Sequence, residues 1–193
     1  MRKVVLQMTM TLDGLVAGPH GEMDWVFSSS DKTTQDYAHD LLDGSDQILL
    51  GRGMAKEFLD YWPTHELTNE IDKKSDIKTF AGKINILPKV IFSKTLDKAE
   101  WPKVTIAKDI ASEISRLKSQ PGKNLILYGG AGLVHSFIDL NMIDEYHLMV
   151  APIILGKGLS LFANLKSSRK LYLIKTTNSK TGVVILHYEP AKE

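Results

Sequence analysis

The sequence predicts an α/β fold, a mixed sheet with helices on both faces. Three observations predict it. Short apolar runs at 48–50, 104–107 and 124–128 each lead into a segment whose apolar residues recur at helical spacing. Those runs are apolar at nearly every position, as buried parallel strands are, rather than alternating. After Asn141 the pattern becomes mostly β, which places terminal strands beside the βα units.

The elements follow in order. Residues 3–10 read as a central strand, and Asp13-Gly14 opens a glycine-rich loop through Gly18, Gly21 and Trp25 that has the character of a lid. Asp31 is a candidate N-cap for a helix carrying Tyr37, Ala38, Leu41 and Leu42 on one stripe, stopped by Gly44. Strand 48–50 enters Gly51-Arg52-Gly53. Met54, Phe58, Tyr61 and Trp62 then mark a helix expected to end at Pro63.

The polar stretch 64–88 is expected to hold one helix around Leu67 and Ile71 and another around Phe80 and Ile84. Strands follow at 89–92 and 104–107, and Asp109 caps a helix with Ile110, Ile114 and Leu117 that stops at Pro121-Gly122. Strand 124–128 runs through Gly129-Gly130-Ala131-Gly132 into a helix bearing Leu133, Val134, Phe137 and Ile138. Strands at 146–154, 170–177 and 183–188 complete the chain, the last two forming an antiparallel hairpin.

The 193 residues suit one domain, 1–193, with one packed core. Basic residues number 24 and acidic residues 23, so no excess positive field draws the chain to nucleic acid. The absence of cysteine excludes disulfides, thiolate chemistry and Cys-ligated zinc. The N-terminus turns polar too early for a signal peptide, and no apolar stretch approaches the roughly 20 residues of a membrane span. A cytoplasmic protein with no membrane partner is the expectation.

Strand 125–128 delivers glycines onto a helix start, which leaves unpaired amides and the positive end of a helix dipole pointing at one spot. That serves a phosphate, or else a tight turn where glycine relieves sterics. Neither G-x-G-x-x-G nor the P-loop spacing is present. Gly51-Arg52-Gly53 repeats the arrangement and adds a guanidinium fork suited to phosphate. Two such turns favour a ligand with more than one phosphate, such as a dinucleotide. Ser93-Lys94-Thr95, at a strand end, offers two hydroxyls and a cation to a 2′-phosphate, or simply caps a turn.

Several segments in series resemble one known family: Thr11-Leu12-Asp13-Gly14-Leu15-Val16-Ala17-Gly18, Ile48-Leu49-Leu50-Gly51-Arg52, Ser93-Lys94-Thr95-Leu96, Gly129-Gly130, and Ile143-Asp144-Glu145-Tyr146-His147-Leu148 through Pro152-Ile153-Ile154-Leu155-Gly156-Lys157-Gly158. The pattern is similar to the dihydrofolate reductase-like family, and more closely to the reductase domain of riboflavin biosynthesis. The resemblance implies a three-layer αβα fold with a mostly parallel sheet, NADPH as cofactor, and a homodimer joined through the C-terminal β region. It also implies pyrophosphate held at Gly51, Gly53 and Met54 and at Gly129, Gly130, Ala131, Gly132 and Leu133. Arg52, Ser93, Lys94 and Thr95 would surround the adenosine phosphate, Ala17 would lie by the nicotinamide, and Asp13, Asp24 and Trp25 would line or cover the substrate. The chain departs from the family at Met54, where Thr is common, at Lys94, where Arg is common, and at Tyr128, where the riboflavin enzyme carries Glu.

The implied reaction is hydride transfer from NADPH to a small heterocycle, resembling the 5-amino-6-(5-phosphoribosylamino)uracil reductase step. A dihydrofolate or pterin-type reductase and a non-catalytic NADP-binding regulatory protein are the alternatives. The accompanying proton needs a donor. Asp13, at the end of the central strand, is the first candidate, and Asp36 on the first helix the second; an Asp before Gly equally stabilises a turn. Trp25 is expected to stack on the substrate from its loop, and Phe27, Tyr61 and Trp62 to belong to the core. His39, His135 and His147 lack metal spacing and read as structural, so no metal is expected.

Overall fold

Fully apolar strands need cover on both sides, and the chain supplies it. The computed structural model describes residues 1–68, 79–99 and 101–191. The N-terminal part contains β1 (Val4–Thr11), β2 (Leu15–Ala17), α1 (Asp24–Ser28), α2 (Lys32–Asp43), β3 (Ser45–Gly51) and α3 (Arg52–Thr68). The middle contains α4 (Phe80–Ile86), β4 (Lys89–Phe92), β5 (Val104–Ala107), α5 (Ile110–Lys118), β6 (Asn124–Gly129) and α6 (Ala131–Asp139). The C-terminal part contains β7 (Glu145–Ala151), β8 (Leu159–Ser160), β9 (Leu171–Asn178) and β10 (Val184–Pro190).

Eight strands form one sheet in the order β5-β4-β3-β6-β1-β7-β10-β9. The pairs from β5 through β7 are parallel, and β10 runs antiparallel to both β7 and β9. Alternate residues divide between two cores. Leu49, Leu125 and Leu127 pack with Ile114, Val134 and Phe137 of α5 and α6. Ile48, Leu50 and Ile126 pack instead with Leu42, Phe58 and Ile84 of α2, α3 and α4. The expected α/β fold, a mostly parallel sheet between two helical layers with a terminal antiparallel pair, is the one found.

Local chemistry sets the helix ends where expected. Asp31 accepts from the Thr34 amide at 3.0 Å, and Thr34 returns the bond, closing a capping box at the start of α2. Asp109 caps α5 from the Ser112 amide at 2.8 Å.

Three local expectations need correction. Helix α3 passes through Pro63 to Thr68 rather than stopping there. Trp62 packs its ring against Phe58 and Phe80, at centroid distances of 6.0 and 5.2 Å, and this packing holds the helix across a residue that cannot donate. Leu67 therefore continues α3, while Ile71 lies outside the described residues. The stretch 18–25 is not all loop, because α1 begins at Asp24 and includes Trp25. Finally, β2 pairs with β8, two strands too short to show periodicity. That pairing brings Gly158 so close to the Ala17 carbonyl that a methyl group on Gly158 would lie 2.1 Å from its oxygen.

Candidate functional site

Strand β3 sends the chain through α3 to β4 on one side, whereas its neighbour β6 sends it through α6 to β7, beyond β1 on the other. Adjacent strands with diverging connections leave a crevice past their carboxyl ends, where open α/β sheets bind ligands. The residues at that point are Gly51 and Gly129.

The two corners touch. A methyl group on Gly51 would lie 3.2 Å from Leu133 Cβ, tighter than ordinary packing, so glycine lets one corner sit against the other. Helix α6 takes Gly130 as its N-cap and has no capping side chain; the Leu133 and Val134 amides donate to the Gly130 carbonyl at 2.9 and 3.2 Å, which leaves the Ala131 and Gly132 amides for the crevice. Beside Gly53 and Gly132 the space is open.

A third arm comes from the end of β4. Arg52 donates to Thr95 Oγ1 at 3.0 Å, which brings its guanidinium to the 93–95 turn. Ser93 Oγ accepts from the Thr95 and Leu96 amides at 3.2 and 3.0 Å and fixes that turn, while Lys94 is exposed. Ala17 is buried under the Gly158 contact.

A cleft of about 630 Å³ lies on the α2–α4 side of the sheet. Met8, Met54 and Tyr128 at its base border the glycine corners, and Phe27, Tyr61 and Trp62 line it further out. His39 and Glu57 are titratable members of this wall. The Tyr128 hydroxyl and Gln7 Oε1 are buried there without hydrogen-bond partners, and burial pushes the Tyr128 phenol well above its usual range.

The expected acids lie elsewhere. Asp13 accepts from the Thr11 hydroxyl at 2.6 Å, the Gly156 amide at 2.7 Å and the Leu155 amide at 3.3 Å. These donors, Thr11 foremost, hold its carboxyl below the ordinary range, the opposite of what a proton donor needs. Asp36 points away from the cleft, 59% exposed and paired with Lys32 at 2.7 Å. Asp24 is exposed in the first turn of α1.

Trp25 and Phe27 border different hollows. Trp25 is 8% exposed, on the inward side of α1, and borders a separate hollow of about 420 Å³ with Gly18, Pro19 and Leu155. Phe27, two residues on, is 62% exposed and lines the main cleft. A five-residue helix turns these two residues apart, and the local sequence carries no signal of it.

The profile of the RibD C-terminal domain matches residues 2–185. The chain belongs to that family. The chain is 34% identical over 187 residues to uncharacterized protein YyaP of Bacillus subtilis, covering 97% of this chain and 94% of the relative. Its fold is similar to a putative riboflavin biosynthesis protein from Shewanella, with a TM-score of 0.78 at 21% identity and full coverage of both chains. A deaminase/5-amino-6-(5-phosphoribosylamino)uracil reductase from Thermotoga maritima gives 0.68 at 18% identity, over 98% of this chain and 57% of that one. The resemblance to the reductase domain of riboflavin biosynthesis therefore holds at the level of the family. Among its described residues no helix is long and apolar enough to cross a membrane.

Proposed function

We propose that this RibD C-terminal domain is a cytoplasmic NADPH-dependent reductase acting on a small, flat heterocycle. The observation that carries this reading is the contact of the Gly51 and Gly129-Gly130 corners at the strand divergence, opening onto the aromatic cleft through Met54 and Tyr128.

The residues fit the cofactor. The Gly51 corner, with Gly53 and Met54, and the start of α6, where the Ala131 and Gly132 amides precede Leu133, offer backbone amides and a dipole end to a diphosphate. Arg52, Ser93, Lys94 and Thr95 offer charge and hydroxyls to a 2′-phosphate. Bound there, NADPH supplies a hydride.

The chain's own work is positioning and exclusion of water. Ala17, pinned by the β2–β8 pair, sets the floor under the nicotinamide. Phe27, Tyr61 and Trp62 provide faces for a planar ring, and the apolar wall keeps solvent away. Asp13 anchors the 155–156 loop beside the Trp25 hollow, and the proton donor belongs on the His39–Glu57 wall of the main cleft.

We place 1–193 in one domain because the eight-stranded sheet draws strands from both ends of the chain. A homodimer through the C-terminal strands is supported by β9, an edge strand on which Tyr172, Leu173 and Ile174 are 52–54% exposed.

Calorimetric titration with NADPH and NADH tests cofactor binding, with heat from NADPH as the expected result. Loss of reduced-nicotinamide absorbance with phosphoribosylaminouracil-type and pterin substrates tests turnover. Binding without oxidation of any substrate would favour a regulatory protein, and no heat from either nucleotide would remove the reading altogether.

A further inference from the structure

On the α2 side of the sheet, away from the glycine corners, Glu145, His147 and His187 converge. Glu145 and His147 stand two apart in β7 and so project to one face, and His187 lies directly opposite His147 in the antiparallel β7–β10 ladder. Glu145 Oε2 is 3.1 Å from His147 Nε2 and 3.8 Å from His187 Nε2. One ligand atom from each of the three residues lies within 4.8 Å of the others. Ligand bonds of about 2.0–2.2 Å to a shared ion bring such atoms to roughly 3–4 Å apart, so the observed triangle needs only a small contraction.

Two further observations point inward. His187 Nε2 is buried and has no hydrogen-bond partner, although this nitrogen is costly to leave unpaired. The Tyr37 hydroxyl lies 2.7 Å from His147 Nδ1. With Nδ1 protonated and donating to Tyr37, the Nε2 lone pair of His147 is fixed toward the cluster, the supporting arrangement common to metal-bound histidines.

We propose that Glu145, His147 and His187 bind a divalent transition-metal ion. Two imidazoles and one carboxylate suit zinc, cobalt or ferrous iron better than magnesium or calcium, which prefer all-oxygen shells. Lys3 holds Glu145 Oε1 at 2.5 Å and leaves Oε2 to the ion, while Glu189, 3.4 Å from Lys3, offsets part of that positive charge. The sequence hid this set because its histidines come from two strands 40 positions apart and share no local motif.

The test uses tag-free, chelator-stripped full-length protein titrated with Zn²⁺ by calorimetry and with Co²⁺ by visible absorption. One equivalent of Zn²⁺ is expected, with affinity at least about ten-fold weaker in His187→Ala and Glu145→Gln. The Co²⁺ band is expected to vanish in both variants, and Zn²⁺ to raise the wild-type thermal midpoint but not that of His187→Ala. Lys3→Met, which removes the cation paired with Glu145 but none of the three ligands, is expected to tighten binding several-fold. No wild-type heat, or equal Zn²⁺ affinity in His187→Ala, would overturn the site. Should His187→Ala fail to fold, unchanged affinity in Lys3→Met overturns it as well.

Discussion

Gly51 and Leu133 approach so closely that a methyl group on Gly51 would stand 3.2 Å from the Leu133 Cβ, at the start of the helix behind the second corner. Gly51→Ala is therefore expected to push the two corners apart. The expected cost is about 1–2 kcal/mol of stability, with NADPH affinity falling by at least about ten-fold. Gly53→Ala, which meets open space at a helix start, should match or exceed wild-type stability. Thermal melts and calorimetry check both, and equal behaviour of the two variants would count against coupled corners.

The bond from Arg52 to Thr95 puts a permanent charge where a 2′-phosphate is proposed. Arg52→Gln is expected to weaken NADPH by about ten-fold, the scale of a lost charge-assisted contact, and to leave NADH nearly unchanged. The ratio of the two dissociation constants is the readout.

Asp13 separates anchoring from acid catalysis. Because its folded pKa is depressed, the stability it contributes is present above its unfolded value and is lost as pH falls through the lower folded value. A general acid is worth about 10²–10⁴ in rate. Asp13→Asn should instead cost less than about ten-fold and leave the pH profile of reduction in place. A lost limb of that profile would restore Asp13 as the proton donor.

Lys89 titrates in the other direction. Burial, with Lys103 nearby, lowers it to about 8, while its ammonium donates to the carbonyls of Ile84, Asn85 and Leu87 at 2.6, 3.3 and 2.7 Å and closes the end of α4. A base with a depressed folded pKa binds fewer protons folded than unfolded, so stability rises with pH between about 8 and 10.5. The expected gain is on the order of 1–3 kcal/mol, read from urea midpoints. Lys89→Met should abolish that slope and, by stranding three carbonyls, cost about 1–3 kcal/mol at neutral pH.

The exposed strand β9 carries the dimer proposal. A Leu173→Lys, Ile174→Lys double variant places charge on a sheet edge, a device that blocks edge pairing. Light scattering should show a dimer for the wild type and a monomer for the variant, and an unchanged mass would relocate the interface.

Much of the fold was legible because its signals are local. Continuous runs such as Leu125-Ile126-Leu127 announced strands covered on both faces, and Asp31 and Asp109 act as the caps that their positions suggested. Pro63 misled because aromatic packing between α3 and α4 overrides a local breaker. The β2–β8 pair and α1 are too short to leave a period. In the site, the glycine corners were visible as strand-to-helix junctions, whereas the wall was not. Whether Trp25 or Phe27 faces the cleft depends on the rotation of one short helix, and neighbours such as Tyr37 and His147 meet only through the sheet.

The glycine corners are made of backbone at strand ends, while the opposite wall is made of side chains from α1, α2, α3 and α4. These two surfaces draw on different stretches of chain and different kinds of atom. On the proposed function, drift in the wall would retune which acceptor ring is admitted without disturbing the grip on the dinucleotide. Such a division would let one scaffold change its acceptor through a handful of exchangeable side chains while the proposed nucleotide grip stays in place.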